Sequence, residues 1–105
     1  VEKKQFVTVM GVAFEVKFKE KLTEDGDECY GLTDGAARTI EISTALNKTE
    51  DMKASTLVHE YCHAVLYVTG QSETLTTEQE EGLVIAFEHA LVQSGFVLEL
   101  EEDEE

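Results

Sequence analysis

The amino-acid sequence predicts an α+β fold: a small, mainly antiparallel sheet in the N-terminal half, packed on two helices from the C-terminal half. Three observations carry this expectation. The chain has 105 residues, 42% hydrophobic and 30% charged, which suits one compact domain with a modest core and neither a disordered nor a fibrous chain. Up to about Ser43 apolar and polar residues alternate with period two, and beyond it apolar residues recur at i, i+3 and i+4. The punctuation changes in step. Gly11, Asp25-Gly26-Asp27 and Asp34-Gly35 separate short runs, whereas Gly70 and Gly95 close long ones.

In chain order, Phe6 to Phe18 reads as strand, with Gly11 as a bend or turn between two pieces. Val12, Phe14, Val16 and Phe18 lie on one face and Ala13, Glu15, Lys17 and Lys19 on the other, so one side is buried and one is wet. The polar stretch from Leu22 to Glu28 is a loop. Cys29 to Thr33 and Arg38 to Ser43 are two further strands, joined through an Asp-Gly hairpin signal. Leu57, Val58, Tyr61, Cys62, Val65 and Leu66 then mark an amphipathic helix from about Asp51 to Thr69. A second helix runs from about Thr77 to Ser94, with Leu83, Val84, Phe87, Ala90 and Leu91 expected inward. Its start reads as a capping box, Thr77 capping the backbone and Glu80 reaching back. Phe96 to Leu100 is expected to be extended. The domain is expected to span residues 1–97, and 98–105 to form a solvated acidic tail.

Eight basic residues against 23 acidic ones give a formal net charge of −15. Such a chain repels a phosphate backbone or an anionic bilayer, so nucleic-acid and membrane partners are not expected. All eight Lys and Arg lie before Ala54, and 12 acids follow it. A cation held in the second half must therefore be a metal, a histidinium or a side chain from a partner. No signal-peptide pattern and no long apolar run is present, and the expected location is the cytoplasm. Cys29 and Cys62 are expected to be reduced packing residues.

The residues that carry chemistry are His59-Glu60-Tyr61-Cys62-His63, an H-E-x-x-H set on the first helix. One helical turn separates the histidines, so both imidazoles can reach one ion, while Glu60 beside them can take a proton from water but is poorly placed as a ligand. A catalytic zinc keeps three protein ligands and one open position. The second helix offers the third: Glu81 is the choice, Glu80 the alternate, and Glu88 is assigned to orienting a ligand histidine or pairing with Arg38. Tyr61 and Tyr67 are candidate oxyanion donors and His89 a weaker one.

His59-Glu60-x-x-His63 followed by a helix beginning Glu80-Glu81 resembles the minimal gluzincin metallopeptidases, in particular small single-domain zincins of phage and prophage type. Val7 to Val16, Gly31-Leu32-Thr33-Asp34 and Ile40-x-Ile42 share the resemblance, which covers roughly residues 6 to 95. It implies zinc held by His59, His63 and a second-helix glutamate, and Glu60 as general base. It also implies a peptide or protein substrate lying extended, by strand addition, along an edge strand, expected to be the one that precedes the helix, Arg38 to Ser43. The competing expectation is a non-catalytic zincin-like module that binds protein partners, or an acidic decoy.

Overall fold

The computed structural model describes residues 3–103. Seven strands and two helices follow one another as β1 (Gln5–Val9), β2 (Val12–Lys19), β3 (Thr23–Glu24), β4 (Asp27–Glu28), β5 (Gly31–Asp34), β6 (Thr39–Ser43), α1 (Glu50–Val68), α2 (Thr77–Gln93) and β7 (Glu101–Glu102). The architecture is the expected α+β one. The main sheet has the order β5-β6-β2-β1-β7, antiparallel throughout except for the parallel pair β2 and β6.

Local chemistry accounts for the turns. Met10 and Gly11, both at positive φ (49° and 82°), make the two-residue turn whose twist matches its flanking strands. Asp25 and Gly26 repeat that turn inside the expected loop, so the segment folds into the small hairpin of β3 and β4. Asp34 accepts the Ala37 N–H at 3.0 Å and nucleates the connection between β5 and β6.

β6 lies between β2 and β5. The expectation that Arg38 to Ser43 forms an edge for substrate is therefore corrected: the edge strand on that side is β5. The reason is non-local. The chain leaves β2, builds the β3–β4 hairpin and β5, and only then inserts β6 against β2.

Helix α1 is sandwiched between the sheet and α2. Val7, Val9, Phe14, Val16, Ile40 and Ile42 of the sheet meet Leu57 and Ala64 in the main core. Val58 and Cys62, from another face of α1, meet Val84 of α2 in a smaller one. Thr49 caps α1 by accepting the Met52 N–H, and Gly70, at φ 81°, takes the left-handed conformation just past its end. The buried Asn47 ties α1 to the sheet: its amide donates to the carbonyls of Ser43 (2.7 Å) and Tyr30 (3.0 Å), and its oxygen accepts from Thr56 (2.6 Å).

Two expectations for α2 are corrected. Thr76, not Thr77, is the cap, and Gln79, not Glu80, reaches back to it. Of the five residues expected inward, Val84 is buried and Leu91 packs at the margin, whereas Leu83, Phe87 and Ala90 face solvent. The face α2 turns to α1 carries Glu80, Glu81 and Glu88 instead. After α2, Leu98 and Leu100 pack against the core, and the strand forms one step later than expected, where Glu101–Glu102 pair with Gln5 and Phe6. Among the described residues no helix is long and apolar enough to cross a membrane.

Candidate metal centre

Helical spacing places His59 and His63 one turn apart on α1, with ring centroids 5.1 Å apart and edge to face. Each ring is held from α2. Nδ1 of His59 lies 2.8 Å from Glu88 Oε1, and Nδ1 of His63 lies 2.6 Å from Glu80 Oε2. Ser55 donates to the other Glu88 oxygen at 2.6 Å and fixes that carboxylate in turn. The carboxylates assign the proton of each neutral ring to Nδ1.

Both Nε2 atoms are then acceptors, and both face Glu81, at 2.9 Å from Oε1 for His59 and 3.3 Å from Oε2 for His63. Ligand atoms of His59, His63 and Glu81 all lie within 4.8 Å of one another, so the three residues could hold a metal ion. Three acceptors converging without a donor are satisfied by a cation, and two imidazole nitrogens with one carboxylate oxygen suit zinc. The residues present fit the ion that the motif implies.

The centre opens on a cleft of about 770 Å³, walled by β5, the cleft face of α1 and the start of α2. Glu60 is buried there, 6% exposed, and its carboxylate accepts the Thr33 hydroxyl at 2.7 Å. Burial raises its pKa above the ordinary value; the Thr33 hydrogen bond and the His63 and His59 fields oppose this, and the Glu81 charge adds to it. Gly31 lets the strand come this close. A Cβ there would stand 2.9 Å from Glu60 Cγ and Oε2 and from a Thr56 methyl. At Gly35 a Cβ would run into the Tyr67 ring, so the turn after β5 closes directly over that tyrosine.

Of the oxyanion candidates, Tyr67 lines the cleft. Tyr61 packs on the core and against Phe96 on another side of α1, and His89 is exposed on α2. Glu88 engages His59 and Ser55, and no contact with Arg38 occurs among the described residues. Cys62 is buried beside Val84, its thiol pushed up by burial and by the Glu88 charge. Cys29 lines the cleft, likewise raised by burial and by Glu24, Glu60, Glu28 and Glu41. Both cysteines are free, as expected. No local pattern assigned a role to Thr33, Gly31 or Ser55. The stretch Gly31-Leu32-Thr33 carried part of the family resemblance, but nothing in it says which helix residue the hydroxyl meets.

The SprT-like family matches residues 2–79, nearly three quarters of the chain and all of the His59-Glu60-x-x-His63 motif. The chain belongs to the SprT-like family. That family is zincin-like and related to metallopeptidases. No curated protein and no solved structure matches the chain. The SprT-like match ends just before Glu80 and Glu81, so the α2 half of the centre is read from this chain's own geometry.

Proposed function

We propose that this SprT-like chain is a zinc-dependent endopeptidase in which His59, His63 and Glu81 hold the ion and Glu60 is the general base. The observation that carries the reading is the convergence of both Nε2 atoms and the Glu81 carboxylate on one point, with buried Glu60 alongside in an open cleft. A zinc ion bound there would polarise a peptide carbonyl and acidify water.

The protein's own groups do the rest. The Tyr30 carbonyl accepts from Ser43 N at 2.9 Å, so by antiparallel alternation Leu32 and Asp34 also point their main-chain groups at β6, while Gly31 and Thr33 point theirs away. An extended peptide adds to that free edge by main-chain hydrogen bonds. Glu60 Oε2 accepts a proton from the attacking water and returns it to the leaving nitrogen as the C–N bond breaks. The Tyr67 phenol, two turns along α1 from His59, donates to the carbonyl oxygen as its charge grows.

The test is a zinc determination paired with cleavage of a mixed-sequence peptide library. The parent should carry about one zinc per chain and cleave. Glu60→Gln should keep the zinc and lose at least about 100-fold in rate. Cleavage by Glu60→Gln at the parental rate rules the mechanism out, and a zinc-loaded parent that binds peptides without cutting them supports the non-catalytic module instead.

A further inference from the structure

A buried carboxylate on a helix between two ligand histidines has freedom about its side-chain torsions, and a base that must take a proton from one water needs a fixed direction. Little on α1 supplies it, because Thr56, one turn back on the same face, gives its hydroxyl to Asn47 and turns a methyl to this side. The constraint comes from the edge strand. Thr33 Oγ1 lies 2.7 Å from Glu60 Oε1 and 3.0 Å from the Glu60 main-chain carbonyl. Two residues earlier on the same face of β5, Gly31 leaves room against Oε2.

We propose that Thr33 is a positioning residue for the general base: its hydroxyl fixes Glu60 Oε1 and so turns Oε2 toward the reacting water. A hydroxyl has one proton, and it goes to the ionised carboxylate. Once Glu60 carries a proton, the carbonyl at 3.0 Å offers the threonine hydrogen a second acceptor, so the hydroxyl stays satisfied through the cycle. Valine, of the same shape, can do neither, and serine can do both. Thr33 also belongs to the strand whose free main-chain groups take the substrate in the reading above, so one residue would couple substrate docking to the direction of the base. The inference rests on that reading for what Glu60 does, but not for where its carboxylate is held.

The experiment compares zinc-loaded parent, Thr33→Val and Thr33→Ser on the mixed-sequence peptide library, and crystal structures of the same proteins. Thr33→Val should keep its zinc, lose about tenfold in kcat with KM within about twofold of the parent, and show the Glu60 carboxylate turned from its parental direction. Thr33→Ser should stay within about twofold of the parent in both constants. Thr33→Ala serves in place of the valine variant if that chain does not fold. Loss in KM rather than kcat, no rescue by serine, or a Glu60 carboxylate that superposes on the parent's in the valine variant each overturns the proposal. If the parent cleaves nothing, the peptidase reading falls, and the crystal structures alone decide whether Thr33 holds Glu60.

Discussion

The two helices are built on different physics. Helix α1 buries Leu57, Val58, Cys62 and Ala64 between the sheet and its neighbour, and its buried carboxylate, Glu60, accepts the Thr33 hydroxyl. Helix α2 buries Val84 alone and leaves Leu83, Ile85, Phe87 and Val92 between 39% and 50% exposed. What it turns toward α1 is a row of carboxylates on two histidines. The sheet and α1 are therefore held by removal of apolar surface from water, and α2 by a polar interface that, in the reading proposed above, a cation completes.

Four experiments press on this division. The largest effect belongs to the main core. Phe14 is fully buried, and Phe14→Ala should cost about 3–5 kcal/mol in urea unfolding; a cost under about 1 kcal/mol would move the stability elsewhere. Next, chelation of the zinc-loaded chain should speed amide exchange in α2 by about 100-fold while β1, β2 and β6 keep their protection. Equal loss in both regions would mean that the centre stabilises the whole domain and not its outer helix. Third, Val84→Ala should cost about 2 kcal/mol, whereas Leu83→Ala, one residue away, should stay within about 0.5 kcal/mol. Similar values would show α2 to be packed more evenly than its exposure implies.

The smallest effect is a pH dependence. Burial alone would raise the Glu88 carboxyl, but hydrogen bonds from Ser55 and His59, with the His59 and His89 charges, outweigh it and hold the group below its ordinary value of 4.5. A depressed folded-state value means that the unfolded chain takes up the proton first as pH falls. The stability Glu88 supplies is thus present above the ordinary carboxylate range and is lost as pH falls through the folded value. In metal-free protein the stability gap between parent and Glu88→Gln should narrow as pH falls through and below the ordinary carboxylate range. A gap that stays constant would remove Glu88 from the acid response.

Elements whose cause is local were legible in the sequence. Period-two alternation located β2, the Asp-Gly signal located the β5–β6 connection, and i+3/i+4 recurrence with Gly70 located α1. The motif histidines and Glu81 meet because helix spacing and a short connection are enough to bring them together. What escaped depended on pairing across the chain. A cap displaced by one residue gave Glu80 a backbone task, when Gln79 takes it and leaves Glu80 for His63. Hydrophobicity turned Leu83 and Phe87 inward, because no apolar pattern signals that carboxylates will claim the inner face. The insertion of β6 between β2 and β5 has no local signature, and with it went the location of the free edge and the part played by Thr33.

The far rim of the sheet has its own consequence. Glu101–Glu102 pair with Gln5 and Phe6, and Asp103 N donates to the Lys4 carbonyl at 3.0 Å. A rim partly covered by its own chain and studded with adjacent negative charges disfavours the strand of a second, equally acidic molecule. Charge thus disfavours stacking of copies through that side, and in the reading proposed above the opposite border, β5, is left to a substrate's backbone.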